Sequence, residues 1–162
     1  MPLIYDSKMA NCIAEFKAKG KLRAGKQLTR YLLEDIQANQ AERGVDHIVA
    51  VPTHWRTQLR RSFNPASEIA QFTSKKLGIP IANALTKADA TLTQKTLNRN
   101  ARLKNLRHAF KARHPLQELG HVALIDDVVT TGATVNSCAI LLKKIGARRV
   151  DVWALARTPT QT

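Results

Sequence analysis

Apolar positions along the chain fall into two rhythms. From Lys8 to about Lys19, Met9, Cys12, Ile13 and Phe16 recur at helical spacing, and Gly20 offers a stop. A second helix is predicted from about Lys26 to Gln40, with Leu28, Tyr31, Leu32 and Ile36 on one face, Leu33 a further candidate, and Gly44 beyond it. "HIVAVP" (His47 to Pro52) is a short apolar, β-branched run that reads as a buried strand. Asn64-Pro65 opens a helix with proline at its first position, which runs to about Leu77 and is closed by Gly78. "IPIANAL" is a candidate short strand. Thr86 to Lys104 carries little periodicity and reads as a long loop, a feature that in compact folds tends to be functional. "HVALI" (His121 to Ile125) is a second clear strand, Gly132 to Ile145 a helix with Val135, Ala139, Leu142 and Ile145 along one stripe, and "RVDVWALA" a third strand. Strand, helix and strand with buried apolar strands mean an α/β fold with a mostly parallel central sheet flanked by helices and right-handed crossovers. At 162 residues one domain is expected, with a helical N-terminal segment over about 1–44 and a core over 45–162.

Charge changes this picture more than overall composition does. Apolar residues make up 44% of the chain and charged residues 23%, an ordinary balance, but 26 Lys+Arg face 12 Asp+Glu, a net charge of +14. Such a surface attracts polyanions: nucleic acid, phosphorylated metabolites or an anionic membrane; a merely solvated basic surface is the alternative. Neither Cys12 nor Cys138 has a second cysteine or a histidine at zinc-ligand spacing, so no zinc is expected in this chain, and both read as small buried residues in a reducing compartment. No apolar run approaches ~20 residues, so no membrane insertion is expected. "MPLIYDSK" has too little apolar length for a signal peptide, and a cytoplasmic location is expected.

The acidic residues matter because they are few. In "VALIDDVVTTGATV" (Val122 to Val135), Asp126 and Asp127 follow a buried strand and precede a turn into a helix. Ligands of open parallel sheets sit beyond the carboxyl ends of the strands. Gly132 lets the backbone approach a ligand, the first-turn N–H groups of the helix lack intrahelical partners, and Thr130, Thr131 and Thr134 bring hydroxyls, which together suit a phosphate. The aspartates would repel a bare phosphate, so the ligand must offer them hydroxyls or a metal. A sugar 5-phosphate with a free diol fits both halves. A Rossmann-like strand, turn and helix with chance aspartates is the bland alternative; a Walker A loop is excluded, because no Gly-Lys-Thr/Ser follows.

Thirteen uninterrupted residues of this run, Val122 to Thr134, resemble the phosphoribosyl pyrophosphate (PRPP) motif of type I phosphoribosyltransferases. Two further blocks narrow the resemblance. "VPTHWRTQLRRSFNPASEIA" is similar to the Val-Pro-x-His…Arg-Gly-Phe-Asn-Gln segment of the ComF/GntX family of competence-associated phosphoribosyltransferase-like proteins. Thr91, Gln94, Leu97, Arg102, Asn105, Leu106, Ala109 and Phe110 follow that family's middle block, and "FKAKG" (Phe16 to Gly20) resembles its Lys-Tyr-x-Gly element more loosely. Three departures stand out. The family's N-terminal four-cysteine zinc ribbon is missing, as in a naturally short member or a fragment; Ser62 replaces a glycine and Pro65 a glutamine.

The resemblance implies a single Rossmann-like type I phosphoribosyltransferase domain. Asp126 and Asp127 would hold the ribose hydroxyls, assisted indirectly by Mg²⁺ held through PRPP or water. Thr130, Thr131, Gly132, Ala133 and Thr134 would cradle the 5-phosphate, and Thr53, His54 and Arg56 would form the pyrophosphate loop. Ala90 to Asn105 would close over PRPP, with Arg99 and Arg102 as flexible-loop catalytic candidates. It further implies a role in natural competence, handling single-stranded DNA with the DNA-uptake machinery. Between Ala90 and Gln117 there are seven Lys/Arg and no acid, and Lys95, Arg99, Arg102, Lys104, Arg107 and Lys111 are the nucleic-acid candidates; a solvated loop face is the alternative. At 5% aromatic residues a long base-stacking platform is not expected. The other functional reading is an active phosphoribosyltransferase acting on a base or other nitrogen nucleophile, with no DNA role. The acceptor is not specified, and the oligomeric state is open, a homodimer included.

Overall fold

The computed structural model describes residues 3–4, 7–19, 22–53, 63–88, 109–113 and 118–158. In chain order the elements are β1 (Leu3–Ile4), α1 (Ser7–Lys19), α2 (Leu22–Ala38), β2 (His47–Ala50), α3 (Pro65–Leu77), β3 (Leu85–Lys87), β4 (Phe110–Ala112), β5 (Gly120–Val129), α4 (Ala133–Lys144) and β6 (Ala147–Arg157). The main sheet has the order β1-β6-β5-β2, every neighbouring pair parallel. Ile81 adds a parallel bridge on the free side of β2, opposite Ile48. β3 and β4 form a separate antiparallel pair.

This order explains where a ligand must go. From β2 the chain crosses by α3 to Ile81 on one side; from β5 it crosses by α4 to β6 on the other. Right-handed crossovers that leave the middle in opposite directions place their helices on opposite faces. The switch point lies between β2 and β5, and ligands of such sheets bind at its carboxyl end. Covering both faces also explains why Val122, Ala123, Leu124 and Ile125 are all buried in succession, where a one-sided sheet would alternate.

Local chemistry sets the helix ends. Asn64 caps α3, its side chain accepting from the Ala66 N–H at 3.1 Å, and Pro65 takes the first position, where no N–H is needed. Gly78 closes α3 in the left-handed region at φ 72°. Gly25 serves a different purpose: a Cβ there would stand 2.4 Å from the Phe16 ring, so the glycine lets α1 lie close on α2. The Phe16 ring, 1% exposed, also meets Phe63 with centroids 5.5 Å apart. At the amino end of the sheet, His121 joins three segments, facing the Gly44 carbonyl through Nδ1 at 3.0 Å and Asp151 through Nε2 at 2.9 Å.

Several sequence expectations need correction. Cys12 is exposed; only Cys138 is buried. On α2 Tyr31 faces solvent and Leu33 turns inward, because the buried stripe follows Leu28, Thr29, Leu32, Leu33 and Ile36. α2 starts at Leu22, four residues before the predicted Lys26. "IPIANAL" contributes one bridge, at Ile81, and its last residue opens the strand Leu85–Lys87, so Thr86 and Lys87 leave the predicted loop. β5 does not stop at Ile125: it runs through both aspartates to Val129, because β6 is long enough to pair with it as far as Arg157. No helix among the described residues is long and apolar enough to cross a membrane.

Candidate functional site

The site forms at the carboxyl end of β5. Asp126 pairs with Ala154 and Val128 with Ala156, so the backbone under the carboxylates is held by the sheet and not by a loop. Each aspartate also anchors the next peptide: the Asp127 N–H donates to Asp126 Oδ1 at 2.9 Å, and the Val128 N–H to Asp127 Oδ1 at 2.7 Å. Burial raises the Asp126 pKa to about 7, with the neighbouring Asp127 carboxylate adding to the shift and the Asp127 N–H and Lys17 opposing it. Near neutral pH, Asp126 is therefore balanced between acceptor and donor. Beneath it Cys138 is fully buried, and burial together with the Asp126 charge pushes its thiol up to about 12, so it stays protonated.

Beyond Val129 the chain turns through exposed Thr130 and Thr131 to Gly132, which stands at φ 75° with no atom within 4 Å of where a Cβ would be. That conformation favours glycine, and the open space lets a ligand come up to the backbone. Gly132 is the N-cap of α4 and supplies no side-chain cap, while the first intrahelical bond runs from the Asn136 N–H to the Gly132 carbonyl. The Thr134 and Val135 N–H groups lie ahead of that bond, and the Ala133 N–H has only a long contact, 3.4 Å, to Thr131 Oγ1. A small concavity is lined by Asp126, Val128 and residues 129–135, so Asp126 and the sequence-predicted phosphate turn share one surface, with Asp127 the next residue along β5.

Thr53 lies on the adjacent strand end. Ala50 is in register with Ile125, and the Val51 N–H continues the ladder to the Ile125 carbonyl at 2.9 Å. Thr53 Oγ1 donates to Asn64 Oδ1 at 2.9 Å, and Asn64 Nδ2 donates to the Val51 carbonyl at 3.1 Å. The residue that caps α3 therefore also fixes the start of the predicted pyrophosphate loop. Asn64 was legible as a cap and not as this tie. A polar cleft of about 470 Å³ opens here, with Thr53, Asn64, Ser67, Lys87 and Arg113 on its walls. His54 and Arg56 lie outside the described residues, as do Lys95, Arg99, Arg102, Lys104 and Arg107; Lys111 is exposed on β4.

Sequence reasoning missed Lys17. Its Nζ lies 2.9 Å from Asp127 Oδ2, so α1 reaches the site with an ammonium. It is one of six basic residues between Phe16 and Arg30, and one sequence alone does not say which of them turns inward. The one signal was its place in "FKAKG". Among the described residues no three His, Cys, Asp or Glu side chains cluster as a metal site would require. The carboxylate pair does suit Mg²⁺ that a phosphorylated sugar brings with it, since such an ion keeps waters and ligand oxygens in its shell.

Comparison with known proteins places this geometry. Among solved structures, the glutamine PRPP amidotransferase of B. subtilis complexed with ADP and GMP matches with a TM-score of 0.54 at 20% identity, over 81% of this chain and 26% of that one. Adenine phosphoribosyltransferase from Saccharomyces cerevisiae matches with a TM-score of 0.51 at 14% identity, over 88% and 71%. The fold is that of the type I phosphoribosyltransferases. No protein-family model matches. Curated relatives are more specific. The DNA utilization protein YhgH of Escherichia coli (strain K12) is 35% identical over 158 residues, 95% of this chain and 69% of that protein. Competence protein F of Haemophilus influenzae is 33% identical over 159 residues, 94% and 69%. This chain belongs to their family, the ComF/GntX family of phosphoribosyltransferase-like proteins.

Proposed function

We propose that this chain binds PRPP with Mg²⁺ and serves DNA utilization or competence, as its relatives' names suggest, handling single-stranded DNA in the cytoplasm. The observation that carries the donor half is the strand-held pair Asp126–Asp127 beside a turn whose Gly132 has open space at its Cβ position and whose first-turn helix N–H groups precede the first intrahelical bond. The 5-phosphate accepts from the backbone N–H groups of residues 133–135 and from the Thr130, Thr131 and Thr134 hydroxyls, helped by the α4 dipole. The carboxylates accept the ribose hydroxyls; Mg²⁺, when bound, neutralises the diphosphate and the acidic pair together. Asn64 holds Thr53 at the mouth of the polar cleft, where Lys87 and Arg113 add the charge a diphosphate needs.

The DNA half is supported by charge. Of the seven Lys/Arg between Ala90 and Gln117, Lys111 and Arg113 lie among the described residues and both are exposed. One PRPP uses a few such charges, whereas a nucleic-acid backbone uses many through counterion release. A second reading, a phosphoribosyltransferase of nucleotide metabolism without a DNA role, is favoured by the same donor site. The two separate by measuring pyrophosphate release from PRPP with bases, nucleosides and single-stranded DNA as acceptors. Release driven by a free base with no DNA affinity supports the second; DNA binding with no base-driven release supports the first.

A further inference from the structure

Lys17 is not placed by chance. α1 is fixed in rotation by Phe16, which is 1% exposed, packs on Phe63, and sits against the Cβ-less surface of Gly25. With Phe16 locked, the next residue has little freedom, and its ammonium meets Asp127 Oδ2 at 2.9 Å with both side chains partly buried, 29% and 17% exposed. A partly buried pair of this kind is screened less by solvent and salt than an exposed one. Here it lies on one of the two carboxylates that, in the donor-site reading on which this inference rests, accept the ribose hydroxyls.

The pair leaves room for a ligand. Each carboxylate oxygen has two acceptor sites, so Asp127 Oδ2 takes a hydroxyl hydrogen while keeping Lys17; an ammonium has three donors, so two remain. A ribose with its 5-phosphate on the Thr130–Thr134 turn and its diol on the aspartates has C1 next to that diol. The ammonium bound to the diol's acceptor is then adjacent to whatever C1 carries. We propose that Lys17 is a specificity-determining residue, favouring a sugar 5-phosphate whose C1 carries an anionic diphosphate over the same sugar with a neutral C1 hydroxyl. A charge-assisted hydrogen bond acts on the first ligand and is absent from the second.

The test is calorimetric binding of PRPP and of ribose 5-phosphate, each with Mg²⁺, to the wild type, Lys17→Met and Lys17→Arg, with thermal melts to verify folding. Lys17→Met should weaken PRPP about tenfold, as expected for one hydrogen bond between charged groups, and leave ribose 5-phosphate nearly unchanged. Lys17→Arg, which keeps the charge, should recover most of the loss and carries the test if Lys17→Met fails to fold. An equal loss for both ligands would overturn the proposal, since Lys17 would then only orient Asp127. Tighter PRPP binding in Lys17→Met would overturn it too, making Lys17 a competing cation. A wild type that binds neither ligand overturns the donor site itself, a different result from either.

Discussion

Replacing Asp126 by asparagine should stabilise the protein at neutral and alkaline pH while removing its ligand. Burial and the Asp127 carboxylate raise the Asp126 pKa from its ordinary 3.8 to about 7. Between those values the folded protein holds a proton that the unfolded chain has released, so stability falls as pH rises through that window. At about 1.4 kcal/mol per pH unit, the gap corresponds to a ceiling of ~4 kcal/mol once the group is ionised. Asparagine removes the charge and keeps the oxygen that accepts the Asp127 N–H at 2.9 Å. The advantage of Asp126→Asn should therefore be at most about 1.5 kcal/mol near pH 5 and rise toward the ~4 kcal/mol ceiling near pH 8. Urea denaturation of both proteins at a series of pH values measures this directly. A gain independent of pH, or a less stable variant at pH 8, would refute the buried-charge reasoning. Stability given up at one carboxylate is a recurrent trade-off at functional sites.

Asn64→Ala removes the α3 cap, the acceptor of Thr53 Oγ1 and the donor to Val51 at once; a loss of about 2–3 kcal/mol in urea denaturation is expected, with weaker PRPP binding. Gly25→Ala should destabilise by about 1–2 kcal/mol despite alanine's better helix propensity, because its Cβ would stand 2.4 Å from the Phe16 ring; a more stable variant would contradict that packing. Charge reversal of Lys95, Arg102 and Lys104 together should weaken single-stranded DNA binding and flatten its dependence on salt, as read by fluorescence anisotropy at several ionic strengths; an unaltered slope would remove this segment from the DNA reading.

What one sequence reveals here depends on how local each cause is. Asn64-Pro65 and Gly78 mark α3 by their own backbone chemistry, and both ends were legible. The Asp126–Gly132 stretch was legible because its chemistry lies in consecutive residues. The end of β5 was not: the carboxylates resemble a stop, and only the length of β6 keeps the ladder going to Val129. β1 and β4 were missed for the same reason, being two and three residues long and defined by their partners. Tyr31 and Leu33 flank the Leu28, Leu32 and Ile36 stripe of α2 on opposite sides, and packing decides which is buried. Lys17 lies at the far end of the chain from Asp127, and their meeting depends on a ring contact and a glycine that sequence spacing does not connect.

The most direct test of the donor site is a calorimetric titration of PRPP with Mg²⁺ into the wild type and into the double variant Asp126→Asn, Asp127→Asn. Saturable binding to the wild type, absent from a double variant that still melts cooperatively, is the predicted result. Undiminished affinity in the double variant would contradict the assignment.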